Sequence, residues 1–170
     1  MDKLTNKTVE EVKDMVRLKI GDTGNSFIVD DKNGIVYKQI NDEIYEHHSL
    51  TNLGYDRVCL AVDGSYRRIQ AHRFIVEVAL GIELKSYQPV HHINGKKTDN
   101  RLKNLLICDS STTHKEIHSI DPKYYNTIVG LLNSWALEGK IVTLEDVKNL
   151  ERTIGIDVKD WNSNIVKYLN

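Results

Sequence analysis

The sequence predicts a mixed α+β fold, and three observations carry that prediction. Short β-rich runs separated by turn residues fill residues 26–71, helical spacing of apolar residues returns after residue 121, and a dense polar cluster holding four of the seven histidines lies between them. The 170 residues are 40% hydrophobic and 28% charged with twelve Gly plus Pro, which suits one compact domain or a small one with an appended helical module. Disordered, collagenous and low-complexity chains are excluded.

The elements follow in order. A capping box, Thr8-x-x-Glu11, with Val9, Val12, Met15 and Val16 at helical spacing predicts a short amphipathic N-terminal helix before Gly21-Asp22-Thr23-Gly24. Phe27-Ile28-Val29, a turn at Asp30–Gly34 and Ile35-Val36-Tyr37 predict a hairpin closed around Asn-Gly. Tyr55–Val62, a turn at Asp63-Gly64-Ser65 and Tyr66–Ala71 predict a second. His72–Leu80 reads as a helix ended by Gly81 as its C-terminal cap. Asp121-Pro122 starts a helix whose apolar face is Ile128, Leu131, Leu132, Trp135 and Ala136, ending near Gly139. Two more helices open at Thr143 and Asp157, separated by Gly155-Ile156, and should pack on the body.

Apolar runs such as Leu105–Cys108 are far too short to span a bilayer, and the charged start of the chain offers no apolar signal region, so a soluble, intracellular protein with no membrane partner is expected. Cys59 and Cys108 stand 49 positions apart without a CxxC pairing, which points to buried thiols rather than a disulfide framework or zinc knuckle. The net charge of −1 hides an uneven distribution. Residues 1–50 hold ten acids and seven bases, residues 51–118 seven acids and ten bases, and residues 119–170 seven acids and six bases. A phosphate-binding face therefore belongs in the middle part, which also carries five of the seven histidines.

Chemistry concentrates in residues 90–118. His114 and His118 are four apart in a stretch that Ser110 or Ser111 can cap, so on a helix they share a face and can chelate one divalent ion. His91 and His92 are neighbours at an expected strand end, where successive side chains diverge; one can bind metal while the other stays free for proton transfer. Asn94-Gly95 makes a turn, and Lys96, Lys97, Arg101 and Lys103 supply positive charge beside it. An ion, a neutral imidazole and cations together suit attack on a phosphodiester. Arg67 and Arg68 add cationic candidates for DNA contact, but they alternate across a strand, so only one can face a partner.

Residues 90–118, in the form V-H-H-I-N-G-x-x-x-D-N-R-x-x-N-L followed by H-x-x-x-H, resemble the motif of the HNH nucleases, the ββα-metal finger. Upstream, Gly54-Tyr55-x-x-Val58-x-Leu60 and Ala71–Val76 are similar to the strand and helix preceding the finger in phage-type and intron-encoded HNH homing endonucleases, so the resemblance covers residues 26–118. It implies an α+β fold in which a hairpin-rich β region leads into the finger, with a helical C-terminal part. The corresponding division is 1–24 as N-terminal helical segment, 25–88 as β-hairpin region with helix, 89–118 as nuclease finger and 119–170 as helical region.

By the same resemblance His91 would be the strand ligand, His92 the general base, and Asn104 the asparagine that ties the loop together and helps orient the base. His114 and His118 would complete the metal site, although His114 falls one position later after Asn104 than in many relatives. Asp99, Asn100 and Arg101 would stabilise the turn or touch the DNA backbone. The implied activity is metal-dependent cleavage of double-stranded DNA leaving 5′-phosphate and 3′-hydroxyl ends, in a host cell if the chain is phage-encoded. Three imidazoles favour Zn, Ni or Mn over Mg as the one divalent ion, with Mg still usable through phosphate and water oxygens. The alternatives are a catalytically inactive DNA-binding protein with a metal-stabilised finger, and a metal-stabilised protein-interaction module.

Outside the cluster, His72 reads as a structural histidine, His47 and His48 as solvent-facing, and Trp135 and Trp161 as core. The last two helices have helix-turn-helix spacing, with Lys159, Asn162, Asn164 and Lys167 as groove candidates. Glu145, Asp146, Glu151, Asp157 and Asp160 make that stretch acidic and favour packing helices instead.

Overall fold

A computed structural model describes residues 2–19, 26–47, 49–62, 65–120 and 122–154. The N-terminal third is an antiparallel sheet of β1 (Lys3–Leu4), β2 (Val16–Lys19), β3 (Ser26–Asp30), β4 (Ile35–Ile40) and β5 (Glu43–Glu46), in spatial order β1-β5-β4-β3-β2. The first expected hairpin forms. Gly34 takes φ 72° and donates its N–H to Asp30 O at 2.8 Å, while Asn33 N–H bonds the Asp30 carboxylate at 3.0 Å.

The expected N-terminal helix does not form: residues 9–14 lie in turns. Its capping box closes nonetheless, with Thr8 N–H donating to Glu11 Oε2 at 2.6 Å and Glu11 N–H to Thr8 Oγ1 at 3.3 Å. A helix this short is marginal alone. Val12 is instead buried with Ile28, Tyr37 and Ile44, and Val16 enters β2 opposite Val29, so sheet pairing overrides the local signal. His47 is a second correction. Its side chain is only 7% exposed and its Nε2 accepts the Cys59 N–H at 2.9 Å, because the end of β5 is folded under the following hairpin.

That hairpin pairs β6 (Arg57–Val62) with β7 (Ser65–Gln70) and runs into helix α1 (Ala71–Leu80), which Gly81 ends at φ 63° and ψ 34°. A third sheet comprises β8 (Val90–His92), β9 (Leu105–Cys108) and β10 (Ile141–Val142); β8 is antiparallel to β9 and β10 parallel. Helix α2 (Ser111–Ser119) starts from Ser110, whose hydroxyl accepts the Thr113 N–H at 3.2 Å. Helix α3 (Pro122–Leu137) and helix α4 (Leu144–Ile154) follow, α4 opening on a reciprocal Thr143–Asp146 box. The turn at 21–24, the tip of the second hairpin, His48, and the helix expected beyond Asp157 with Trp161 and its groove candidates lie outside the described residues.

Strand β9 is the hub. All four of its side chains are buried: Leu105 and Ile107 join Phe27, Val58, Phe74 and Ile75 on one face, and Leu106 and Cys108 join Ile117, Leu132, Val147 and Leu150 on the other. A strand covered on both faces reads as a continuous apolar run, and each such side chain contributes about 1.5–3 kcal/mol through burial. Burial pushes the Cys108 thiol up to about 12; Cys59 is half-buried. Trp135 packs against the second of these cores, with Lys140 Nζ 3.8 Å from its ring centre. No helix of the described residues is long and apolar enough to cross a membrane.

Candidate functional site

The two faces of β9 decide where the adjacent histidines go. His91 pairs with Leu106 and His92 with Leu105, so the alternation of the strand sends the first toward α2 and α3 and the second toward α1. Both are buried, at 3% and 6% exposure.

On the α2 side, His91, His114 and His118 converge. Their ring centres lie 5.3, 4.6 and 4.8 Å apart in pairs, and one ligand nitrogen from each falls within 4.8 Å of the others. The i, i+4 spacing on α2 aligns the helical pair, and the Ser110 cap fixes the turn from which they project. Burial, with the neighbouring His118 and His114, pushes His91 down to about 3, and burial also lowers His114. His91 and His114 therefore present neutral lone pairs, the form that binds a cation, and three mutually close imidazoles fit one divalent ion. Tyr125, from α3, places its hydroxyl 3.1 Å from His91 Nε2 and so holds the ring; burial keeps that phenol protonated, up to about 12.

On the α1 side, His92 Nε2 lies 3.2 Å from Asn100 Oδ1, and Asn100 Nδ2 donates to Asp56 Oδ2 at 3.3 Å. His72 packs edge-on, 4.9 Å between ring centres, and Tyr55 lies 6.0 Å away. Burial lowers His92 below the ordinary imidazole value, partly offset by the Asn100 hydrogen bond and the Asp99 charge. It is a neutral imidazole next to, but outside, the three-histidine cluster.

Asn104 braces the loop between β8 and β9. Its Oδ1 accepts the Asn94 N–H at 2.9 Å, and its Nδ2 donates to Asn94 Oδ1 at 3.0 Å and to Asp99 O at 2.8 Å. The side chain that bonds His92 is Asn100, not Asn104.

The basic candidates spread more widely. Lys96, Lys97 and Lys103 are exposed around this loop; Lys97 lies 4.7 Å from the Tyr55 ring centre and donates to Leu53 O. Arg101 grips Asp99 through Nε at 2.7 Å and Nη2 at 2.5 Å, so its first partner is within the chain. Arg67 and Arg68 are both exposed on opposite faces of β7. They border an open groove of about 920 Å³ that Lys85, Tyr87 and Ser111, the first residue of α2, also line.

Sequence reasoning missed three contributors: Tyr125 at His91, Asn100 at His92, and His72 against His92. The first two come from 34 and eight residues away, so no local spacing advertises them.

No family model and no curated protein matches the sequence. A solved structure described as DNA binding and cleavage by the HNH homing endonuclease I-HmuI aligns over 63% of this chain, with 21% sequence identity and a TM-score of 0.44. The chain spans 62% of the length of that solved chain.

Proposed function

We propose that this chain is a divalent-metal-dependent endonuclease of the HNH type that hydrolyses phosphodiester bonds of double-stranded DNA. One observation carries the reading: three imidazoles converge with one ligand nitrogen from each within 4.8 Å of the others, while the next residue along the strand, His92, is a separate imidazole on the opposite face. Hydrolysis of a phosphodiester needs that division between charge stabilisation and proton removal.

His91, His114 and His118 would hold the ion. Bound there, a divalent cation supplies Lewis-acid charge beside the scissile phosphate. His92 takes a proton from a water molecule, whose oxygen forms the new bond to phosphorus as the bond to the 3′ oxygen breaks. Asn104 keeps the loop in register beneath the site, and Tyr125 keeps His91 oriented. Lys96, Lys97 and Lys103, with whichever of Arg67 and Arg68 lies on the face of β7 that meets the DNA, would hold the phosphate backbone; Arg101 contributes through its pair with Asp99 to the shape of that loop.

Plasmid cleavage in Mg, Mn, Ni or Zn tests the proposal. Cleavage by the parent and a loss of about 100-fold or more in His92→Ala, with metal content unchanged, is the expected result. Equal cleavage by the variant would remove His92 from the chemistry. Salt-sensitive duplex binding without cleavage in any of the four ions would favour an inactive DNA-binding protein instead.

A further inference from the structure

We infer that Asn100 is the positioning residue of the proposed base: its carboxamide, oriented by Asp56, fixes His92 as the Nε2–H tautomer and leaves Nδ1 as the basic nitrogen. The inference rests on the nuclease reading for its catalytic consequence, but the geometry behind it does not. An asparagine amide can point either way, and here its neighbours choose. The Asp56 carboxylate only accepts hydrogen bonds, so the Asn100 group facing it at 3.3 Å is the NH2 donor. The group left facing His92 at 3.2 Å is then the oxygen, which has no hydrogen to give. Nε2 therefore carries the hydrogen and donates it, and the lone pair of the neutral ring sits on Nδ1.

The surroundings hold this arrangement. Asn100 is 3% exposed, so water does not compete for its oxygen. The adjoining Asp99 carbonyl is tied to Asn104 at 2.8 Å, and Leu102 N–H is tied to Asp31 O at 2.9 Å, which anchors the segment on both sides of Asn100. The His72 ring, edge-on at 74° to His92, restricts its rotation. Among the described residues no hydrogen bond engages His92 Nδ1, so that nitrogen is the one left for water. Asp56 belongs to the start of the second hairpin and Asn100 to the loop after β8, so two parts of the chain meet to select one tautomer.

The test combines spectroscopy and kinetics on the full chain. Side-chain nitrogen–proton NMR of histidine-labelled protein, with the His92 signals identified by their absence in His92→Ala, is expected to show a single Nε2–H tautomer in the parent and a mixture in Asn100→Ala. DNA-cleavage kinetics are expected to show kcat falling about 10- to 100-fold in Asn100→Ala, with KM within about twofold and metal content unchanged. If Asn100→Ala folds poorly, the exchange variant Asp56→Asn with Asn100→Asp keeps an oxygen toward His92 and an amide donor opposite it. That variant is expected to retain the Nε2–H tautomer, whereas Asp56→Asn alone, which removes the acceptor that orients the amide, is not. A parent His92 protonated on Nδ1, or an Asn100→Ala variant that melts earlier yet keeps the parent kcat, overturns the inference. A parent that shows the expected tautomer but cleaves no DNA refutes the nuclease reading and leaves the Asn100 contact standing.

Discussion

At the scale of single residues, Asp99 shows how the loop beside the site is braced. The Arg101 side chain, bonding through two nitrogens, and the Asn94 amide hold its carboxyl down to about 2. A depressed folded value means stability that is fully present above the ordinary value of 3.8 and lost as pH falls through about 2. Asp99→Asn should therefore destabilise the protein by about 1 kcal/mol at neutral pH, a figure discounted for partial exposure, with the gap to the parent closing near pH 2. Urea titrations at the two pH values check this. Tyr125 works on the other face of the strand. Removing its hydroxyl in Tyr125→Phe should lower divalent-ion affinity about 10-fold, the usual cost of losing a hydrogen bond to a metal-ligating histidine, with little change in melting temperature. Calorimetric titration with Zn or Ni measures it; unchanged affinity would mean that His91 needs no help from α3.

At the scale of elements, the β3–β4 turn supports the loop at Asn100 and Arg101, far along the chain. A Cβ at Gly34 would sit 2.4 Å from Arg101 N and 2.4 Å from Asn100 C, and φ there is +72°. Gly34→Ala should thus destabilise by roughly 2–4 kcal/mol through both strain and displacement of backbone, and should disturb Asn100 and His92 although it touches neither side chain. A urea midpoint close to the parent's would contradict the close approach. Elements with strong local chemistry were legible in the sequence. The Gly81 stop of α1, Ser110 as one of two candidate caps of α2, the Thr143–Asp146 opening of α4 and the turn of the first hairpin each depend on residues within a few positions of one another. The N-terminal helix failed for the opposite reason: Val16 finds Val29 across a sheet, and that long-range pairing outweighs a capping box. Strands β1 and β10 are two residues long and exist only through distant partners, such as Ile107 for Ile141, so no alternation of their own could announce them.

At the scale of the whole molecule, a net charge of −1 means that any affinity for DNA would have to come from local groups. If the β7 groove and the β8–β9 loop hold phosphates, the logarithm of the binding constant should fall with that of salt concentration, and Lys103→Ala and one of Arg67→Ala and Arg68→Ala, which leave opposite faces of β7, should each reduce that slope by about 1. A slope unaffected by all three would place the DNA elsewhere. The site was legible as far as it is local: the divergence of His91 and His92 follows from strand alternation, and the convergence of His114 and His118 from helical spacing. What holds each ring was not legible, because Tyr125, Asn100, Asp56 and His72 reach it only through the packing of α1, α3 and the hairpin around β9. The most direct measurement is an optical titration of the full chain with Co(II), repeated on His91→Ala, His92→Ala, His114→Ala and His118→Ala variants shown to be folded. One ion per chain, bound as tightly by His92→Ala as by the parent and at least about 10-fold more weakly by the other three, is the predicted result. Loss of the ion in His92→Ala, or full retention in His91→Ala, would contradict the division of labour between the two neighbouring histidines.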